Sequence, residues 1–289
     1  MKEYPPCGKK IDGITGSNLI AGGGPVPTAL CTFSKMGGGA SLISCYGDDN
    51  WGHFAREELD KFKVDHGHCI IRKNCTSALA FAWVETQNGD RTIVLDMDQR
   101  LTIKPLDLKL DCLPRTKLIH IDGRFVPACL KLARWGKKVG AQVMLDVGSV
   151  RNRVDSLFPF IDYLVCADQY ALHYWNTKSI RKAAEKFKTL GISEVTVTSG
   201  IKGSYGIDCA DQSCHQKAYK VKAVDVTGAG DVFHGSYLYG IHRGWDLSYR
   251  LKFASAAAAL KCRSRGARAG IPSLLQVRKF IKNHRVYHA

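Results

Sequence analysis

No stretch of this chain is apolar for long enough to cross a bilayer. Its opening residues, Met1-Lys2-Glu3-Tyr4-Pro5-Pro6, lack the apolar core of a signal peptide. The chain is therefore expected to be cytoplasmic, with no membrane partner. Acidic residues are scarce: 26 Asp and Glu stand against 42 Lys and Arg, giving a formal net charge of +16 at pH 7. Zinc-finger spacing and RNA-binding aromatic motifs are missing, and the basic residues form no dense run. The excess charge then points to an enzyme that attracts anionic substrates, and no nucleic-acid partner is expected. Internal repeats and low-complexity linkers are also missing, so one domain over residues 1–289 is expected. The hydrophobic fraction of 45% supports a full core. Eleven cysteines, an odd number without paired spacing, suit a reducing compartment better than a disulfide framework.

Along the chain, strand-like apolar runs alternate with amphipathic stretches. Strands are predicted over 117–121, 143–147, 163–166 and 194–198, and helices over 128–138 and 179–190. The strands are apolar on both faces, as in a mostly parallel sheet covered by helices on each side. From Thr227 onward the pattern turns helical, over 232–243, 248–262 and 273–282. A strand over 41–46 and a strand-like stretch over 218–224 complete the reading. One region breaks the alternation: 78–85 and 91–97 are strands around Gln87-Asn88-Gly89-Asp90, whose Asn-Gly signals a hairpin. A hairpin that interrupts such a series projects from the main sheet, for example as a lid.

Three glycine-rich turns carry the chemistry. Asp225-Val-Thr-Gly-Ala-Gly-Asp231 lies where a loop enters a helix, a place that offers free amides and a positive dipole end to an anion. A carboxylate inside an anion cradle is out of place unless it is a base, and the cradle holds the phosphoryl group that the deprotonated oxygen attacks. A plain glycine-rich helix cap would account for the glycines but not for the whole combination. Gly22-Gly23-Gly24-Pro25 precedes an amphipathic helix over 26–36, and lets backbone approach a ligand closely. Val197-Thr-Ser-Gly-Ile-Lys-Gly203 closes a strand at the end where open α/β sheets bind ligands. Cys209, Cys214 and His215 match no strong zinc spacing, so no metal ligands are assigned. Tyr170, Tyr174 and Trp175 are expected to bury a helix face, and His234 to pack within its helix.

In their order and spacing these three turns resemble the ribokinase-like (PfkB) carbohydrate kinase family, and the resemblance covers nearly the whole chain. Phe253-Ala-Ser-Ala-Ala-Ala-Ala-Leu-Lys-Cys262, Gly266-Ala-Arg-Ala-Gly-Ile-Pro272 and Ile121-Asp-Gly-Arg124 are most similar to the ketose and sulfofructose kinase branch. The resemblance implies an α/β fold with a central, mostly parallel sheet and a small β lid within 8–22 and 75–100. It implies an ATP- and Mg²⁺-dependent kinase that phosphorylates a primary hydroxyl of a ketose-like sugar. Asp231 would be the base, with Gly228, Ala229 and Gly230 forming the anion hole. Thr198, Gly200, Gly203, Thr227 and Ala258 would line the nucleotide. Gly23 and Gly24 would contact the sugar, and Lys9 and Arg124 an anionic tail on it. A homodimer is implied by analogy.

The chain also departs from that pattern. Thr28 replaces the usual Asn, and Ala167-Asp-Gln-Tyr170 replaces an Asn-x-x-Glu motif that organises magnesium, with Asp168 a partial substitute. The first inner strand of the family, which ends in a sugar-binding Asp, is missing before the lid strand expected over 9–20. A nucleoside or small-alcohol kinase, and an inactive member working as a binding protein, are the competing readings.

Overall fold

The computed structural model describes residues 18–85 and 89–284. Lys9 and most of the expected first lid strand lie outside them. A six-stranded sheet forms the centre. Leu118–Ile121, Gln142–Val147, Tyr163–Ala167 and Glu194–Thr198 run parallel in that order. Ser204–Ile207 and Ser213–Gln216 continue it antiparallel.

Alternation along the strands divides the core in two. Val143, Leu145, Val147, Leu164, Cys166, Val195 and Val197 face one way, where the helices Val126–Lys138, Asp168–Tyr174 and Ile180–Lys188 cover them. Met144 and Val165 face the other way, against the helices Pro25–Lys35, Ala229–His242, Leu247–Lys261 and Leu274–Asn283. Burial on both faces is why the strands read as continuous apolar runs. Tyr170, Tyr174 and Trp175 pack around Phe187, as the sequence suggested.

Two expected strands are corrected. The run over 41–46 splits into Ala40–Ser41, paired with Val64–Asp65, and Cys45–Gly47, paired with Ile70–Arg72. The stretch over 218–224 forms no strand, because Val224 and Asp225 give their amides to the Cys262 carbonyl at a helix end instead of to a ladder. The hairpin is present as Leu79–Val84 and Arg91–Asp96, and belongs to no larger sheet among the described residues. Its apolar side chains are exposed on both faces, Phe81, Trp83 and Val94 on one and Ile93 and Leu95 on the other. Ten of the cysteines are described, and all ten are free. No described helix is long and apolar enough to cross a membrane.

Candidate active site

The C-terminal ends of the parallel strands lie along one edge of the sheet. Asp122 and Arg124 follow the first, Arg151 comes after the second, Asp168 follows the third, and Ser199 and Gly200 follow the fourth.

The helix Ala229–His242, like Pro25–Lys35, begins at a glycine without a side-chain cap, unlike four others. Asp49, Ser179, Asp246 and Ser273 each cap a helix with a side-chain oxygen. Gly228, the N-cap of Ala229–His242, has no side chain to do so. The Ala229 amide turns back to the Val226 carbonyl at 3.1 Å. Among the described residues no hydrogen bond engages the amides of Gly228, Gly230 and Asp231, which are left as orphan donors at the helix N-terminus. Gly228 has φ 79°, and a Cβ there would stand 2.9 Å from the Ala267 carbonyl oxygen. Only glycine fits this crossing of two backbones without strain.

Asp225 holds the loop. Its carboxylate accepts the amides of Thr227 at 2.8 Å and Gly266 at 2.7 Å. The Val226 amide donates to the Gly89 carbonyl at 3.2 Å, so the base of the hairpin turn touches the same loop. Arg268 then reaches from the 263–271 segment to the glycine turn. Its Nη2 donates to the Gly23 carbonyl at 2.6 Å, and a Cβ on Gly22 would meet its Nη1 at 2.2 Å. Gly24, with φ 89°, caps the helix Pro25–Lys35. Gly23 and Gly24 are exposed. Two of the three glycine-rich turns are thus joined through one segment.

The third turn closes on itself. Ser199 donates its amide to the Gly203 carbonyl at 2.7 Å, and Thr198 Oγ1 donates to the Cys166 carbonyl at 3.3 Å. Gly203 has φ 94°, and a Cβ would overlap the Gln216 carbonyl at 2.1 Å. Ser199 Oγ donates to Asp168 Oδ2 at 2.5 Å, so the carboxylate at the Asn-x-x-Glu position belongs to this end. Ala258 lies on the helix Leu247–Lys261, partly buried. Arg124 is exposed, with its Nη1 3.7 Å from Met97 Sδ and its Nε 4.0 Å from Asp122 Oδ2. Arg151 approaches the same carboxylate at 4.0 Å and donates to the Asp122 carbonyl at 2.6 Å.

Asp231 lies in the first turn of its helix. Burial, and then the nearby Asp146 carboxylate, push it up to about 6, against the pull of His234, Arg91 and Arg268. A carboxylate poised there titrates close to neutral pH, the range that general-base chemistry requires. His234 is not simple helix packing: its Nδ1 lies 2.9 Å from Asp146 Oδ2, with both side chains almost completely enclosed. Ligating atoms of Asp146, Asp231 and His234 lie within 4.8 Å of one another. Magnesium prefers an all-oxygen shell, and an imidazole paired with a carboxylate does not supply one. These groups read as an ion pair beside the Asp231 carboxylate.

A model of the family described as "pfkB family carbohydrate kinase" matches residues 17–274. The chain belongs to the pfkB carbohydrate kinase family. A ribokinase of Staphylococcus aureus is 26% identical over 96% of this chain and 93% of its own length. Fructokinase-2 of rice (Oryza sativa subsp. japonica) is 25% identical over 92% and 87%. A provisionally named ribokinase II of E. coli, solved with ATP and Mg²⁺, superimposes with a TM-score of 0.83 at 23% identity, over 95% of this chain and 94% of that one. The fold is therefore ribokinase-like, and the chain is a carbohydrate kinase by family.

Four residues escaped the sequence reading: Asp146, Arg91, Lys261 and Arg268. Asp146 was hidden inside a strand, although a charge at one position of an otherwise apolar run was visible there. Arg91, Lys261 and Arg268 were three of 42 basic residues.

Proposed function

We propose that this pfkB kinase transfers a phosphoryl group from ATP to a primary hydroxyl of a sugar, and that the sugar is an anionic, ketose-like one. One observation carries the reading: the part-buried Asp231 carboxylate, pushed up to about 6, stands among the unused amides of Gly228, Gly230 and Asp231. Asp231 takes the hydroxyl proton. The three amides and the helix dipole hold the transferring group as its charge spreads over the equatorial oxygens. Ala229 contributes its place in the turn instead of its amide, which is already engaged.

Thr198, Gly200, Gly203, Thr227 and Ala258 line the nucleotide in this reading. Gly23 and Gly24 meet the sugar, Arg124 meets its anionic tail, and Lys9 is assigned there by resemblance alone. Mg²⁺ bound with the nucleotide would neutralise phosphate charge. Asp168, a carboxylate at the nucleotide end, suits a hard cation and would be its protein partner. The exposed apolar hairpin supports a homodimer, and ten free cysteines support a reducing, cytoplasmic setting.

A second reading, a nucleoside acceptor, is favoured by the exposed rings of Phe81 and Trp83 on the hairpin. ATP consumption measured over a panel of neutral ketoses, ketose phosphates, sulfoketoses, ribose and nucleosides separates the two. Highest kcat/KM on an anionic ketose supports the first. Highest kcat/KM on a nucleoside supports the second and sinks the first.

A further inference from the structure

Strand alternation brings two polar residues to an unexpected place. His120 lies between Ile119 and Ile121, and Asp146 between Leu145 and Val147, whose side chains all belong to one core cluster. With period two, His120 and Asp146 therefore point to the opposite face, toward the helix Ala229–His242. On that helix Asp231 and His234 are three residues apart and share a face. Four titratable groups converge under the phosphoryl site as a result.

We propose that Asp146 and His234 form a built-in countercharge that tunes Asp231 as a base, with His234 supplying the positive charge and Asp146 holding it in place. The proposal rests on Asp231 being the base. Two enclosed carboxylates within 4.8 Å of one another repel, and one of them would take up a proton unless a cation stood beside them. His234 is that cation. Burial pulls the imidazole toward its neutral form, but Asp146, and then Asp231, outweigh it and hold the ring above the ordinary histidine value. Asp146 responds in kind: burial pushes it up, the His234 charge outweighs this, and it stays below the usual carboxylate value.

His120 makes the contrast. Its ring centroid lies 6.1 Å from that of His234, and neither of its nitrogens has a hydrogen-bond partner. With no carboxylate in direct contact, burial drives it down to about 4, and it stays neutral. Among the described residues, Asp146 Oδ1 and both His234 nitrogens are also buried without a hydrogen bond, so the 2.9 Å Nδ1–Oδ2 approach is an ion-pair contact. The pair therefore acts on Asp231 through its field and not through a proton relay. The other charges that face Asp231 are Arg91 from the hairpin, Arg268 from the 263–271 segment and Lys261 from the helix Leu247–Lys261. Arg151 adds a weaker pull on Asp146.

His234 and Asp146 are thus positioning residues with opposite signs. His234→Gln leaves two carboxylates facing each other, and the Asp231 titration moves up. Asp146→Asn removes the repelling charge, the larger of the two neighbours' effects on Asp231, so the titration moves down even though His234 loses its partner. Carboxyl-carbon NMR titration of the full chain reads this without any acceptor, with Asp231→Asn assigning the resonance. The expected shifts are about one pH unit or more in opposite directions. Shifts in the same direction, or none in either variant, overturn the proposal, because lost packing would not reverse sign between the two. If either variant does not fold, the His234 ring nitrogens of the wild-type chain decide: an imidazolium still present above pH 7 supports the pair, and a neutral ring at that pH overturns it. Turnover of Asp231→Asn with ATP and the acceptor panel tests the base reading separately. Retained turnover there sinks the base while leaving the titration result standing.

Discussion

Lys261 Nζ donates a 2.7 Å hydrogen bond to the backbone oxygen of Asp225, and its side chain is wholly buried. This ammonium ties the end of the helix Leu247–Lys261 to the loop that leads to Asp231. Burial draws it below the ordinary lysine value, with the Asp225 charge resisting. Lys261→Met leaves that carbonyl without its donor, a cost of about 1–3 kcal/mol. Thermal unfolding is expected to show this loss, and kcat to fall by about tenfold as the loop loosens. Unchanged values for both would mean that the loop does not depend on Lys261.

Asp231→Asn is expected to abolish turnover while nucleotide affinity stays within a few-fold of wild type. The same substitution carries a pH signature in stability. The folded protein holds Asp231 at about 6, above its ordinary 3.8, so ionising it costs folding free energy. The cost is complete above about pH 6, shrinks as pH falls, and vanishes below 3.8. The Asn variant should therefore unfold at higher temperature than wild type at pH 8, by at most about 3 kcal/mol, and match it at about pH 3.5. Melting curves at the two pH values check the sign.

Gly228 and Gly230 separate backbone strain from ligand approach. Gly228→Ala forces a side chain into φ 79° against the Ala267 carbonyl, and should cost about 1–3 kcal/mol along with most of the activity. Gly230→Ala meets no protein atom within 4 Å, so its melting temperature should stay near wild type. If a phosphoryl group approaches this amide closely, its kcat nonetheless drops by about tenfold or more. Wild-type kcat in Gly230→Ala would remove that amide from the cradle.

Arg124→Ala should raise KM for anionic acceptors by about tenfold or more and leave neutral ketoses nearly unaffected, because a lost charge-assisted hydrogen bond is worth about 1.5–3 kcal/mol. Steady-state kinetics on a matched neutral and anionic pair provides the comparison. Equal effects on both would place Arg124 outside the acceptor site.

The hairpin exposes apolar side chains on both faces, and in the proposed homodimer one face pairs while the other meets the acceptor. Ile93→Lys and Val94→Lys charge opposite faces. In sedimentation experiments, the substitution on the pairing face should give monomers, and the other should alter acceptor KM without changing mass. Two variants that both sediment like wild type would remove the hairpin from the dimer.

Much of this was legible along the chain. Glu194–Thr198 has its expected bounds, and the hairpin strands fall within a residue of theirs, because apolar alternation and Asn-Gly are local signals. The stretches over 41–46 and 218–224 misled because strand formation needs a partner backbone, and periodicity does not reveal whether one is there. The 225–231 loop was legible as a turn entering a helix, but the number of its free amides was not: Val226 claims the Ala229 N–H through a turn that composition does not encode.

Local chain chemistry alone settled the glycine that starts the Ala229–His242 helix, the carboxylate in its first turn and the apolar strands that build the sheet. Each follows from steric freedom, charge or alternation within a few residues. Long-range packing settled the rest. It brought Asp146 opposite His234 across 88 positions of chain, Lys261 under Asp225, and Arg268 onto Gly23. The charge that Asp231 feels is the sum of those neighbours. Coulomb interactions depend on distance in space, and that distance exists only once the helix has docked on the sheet.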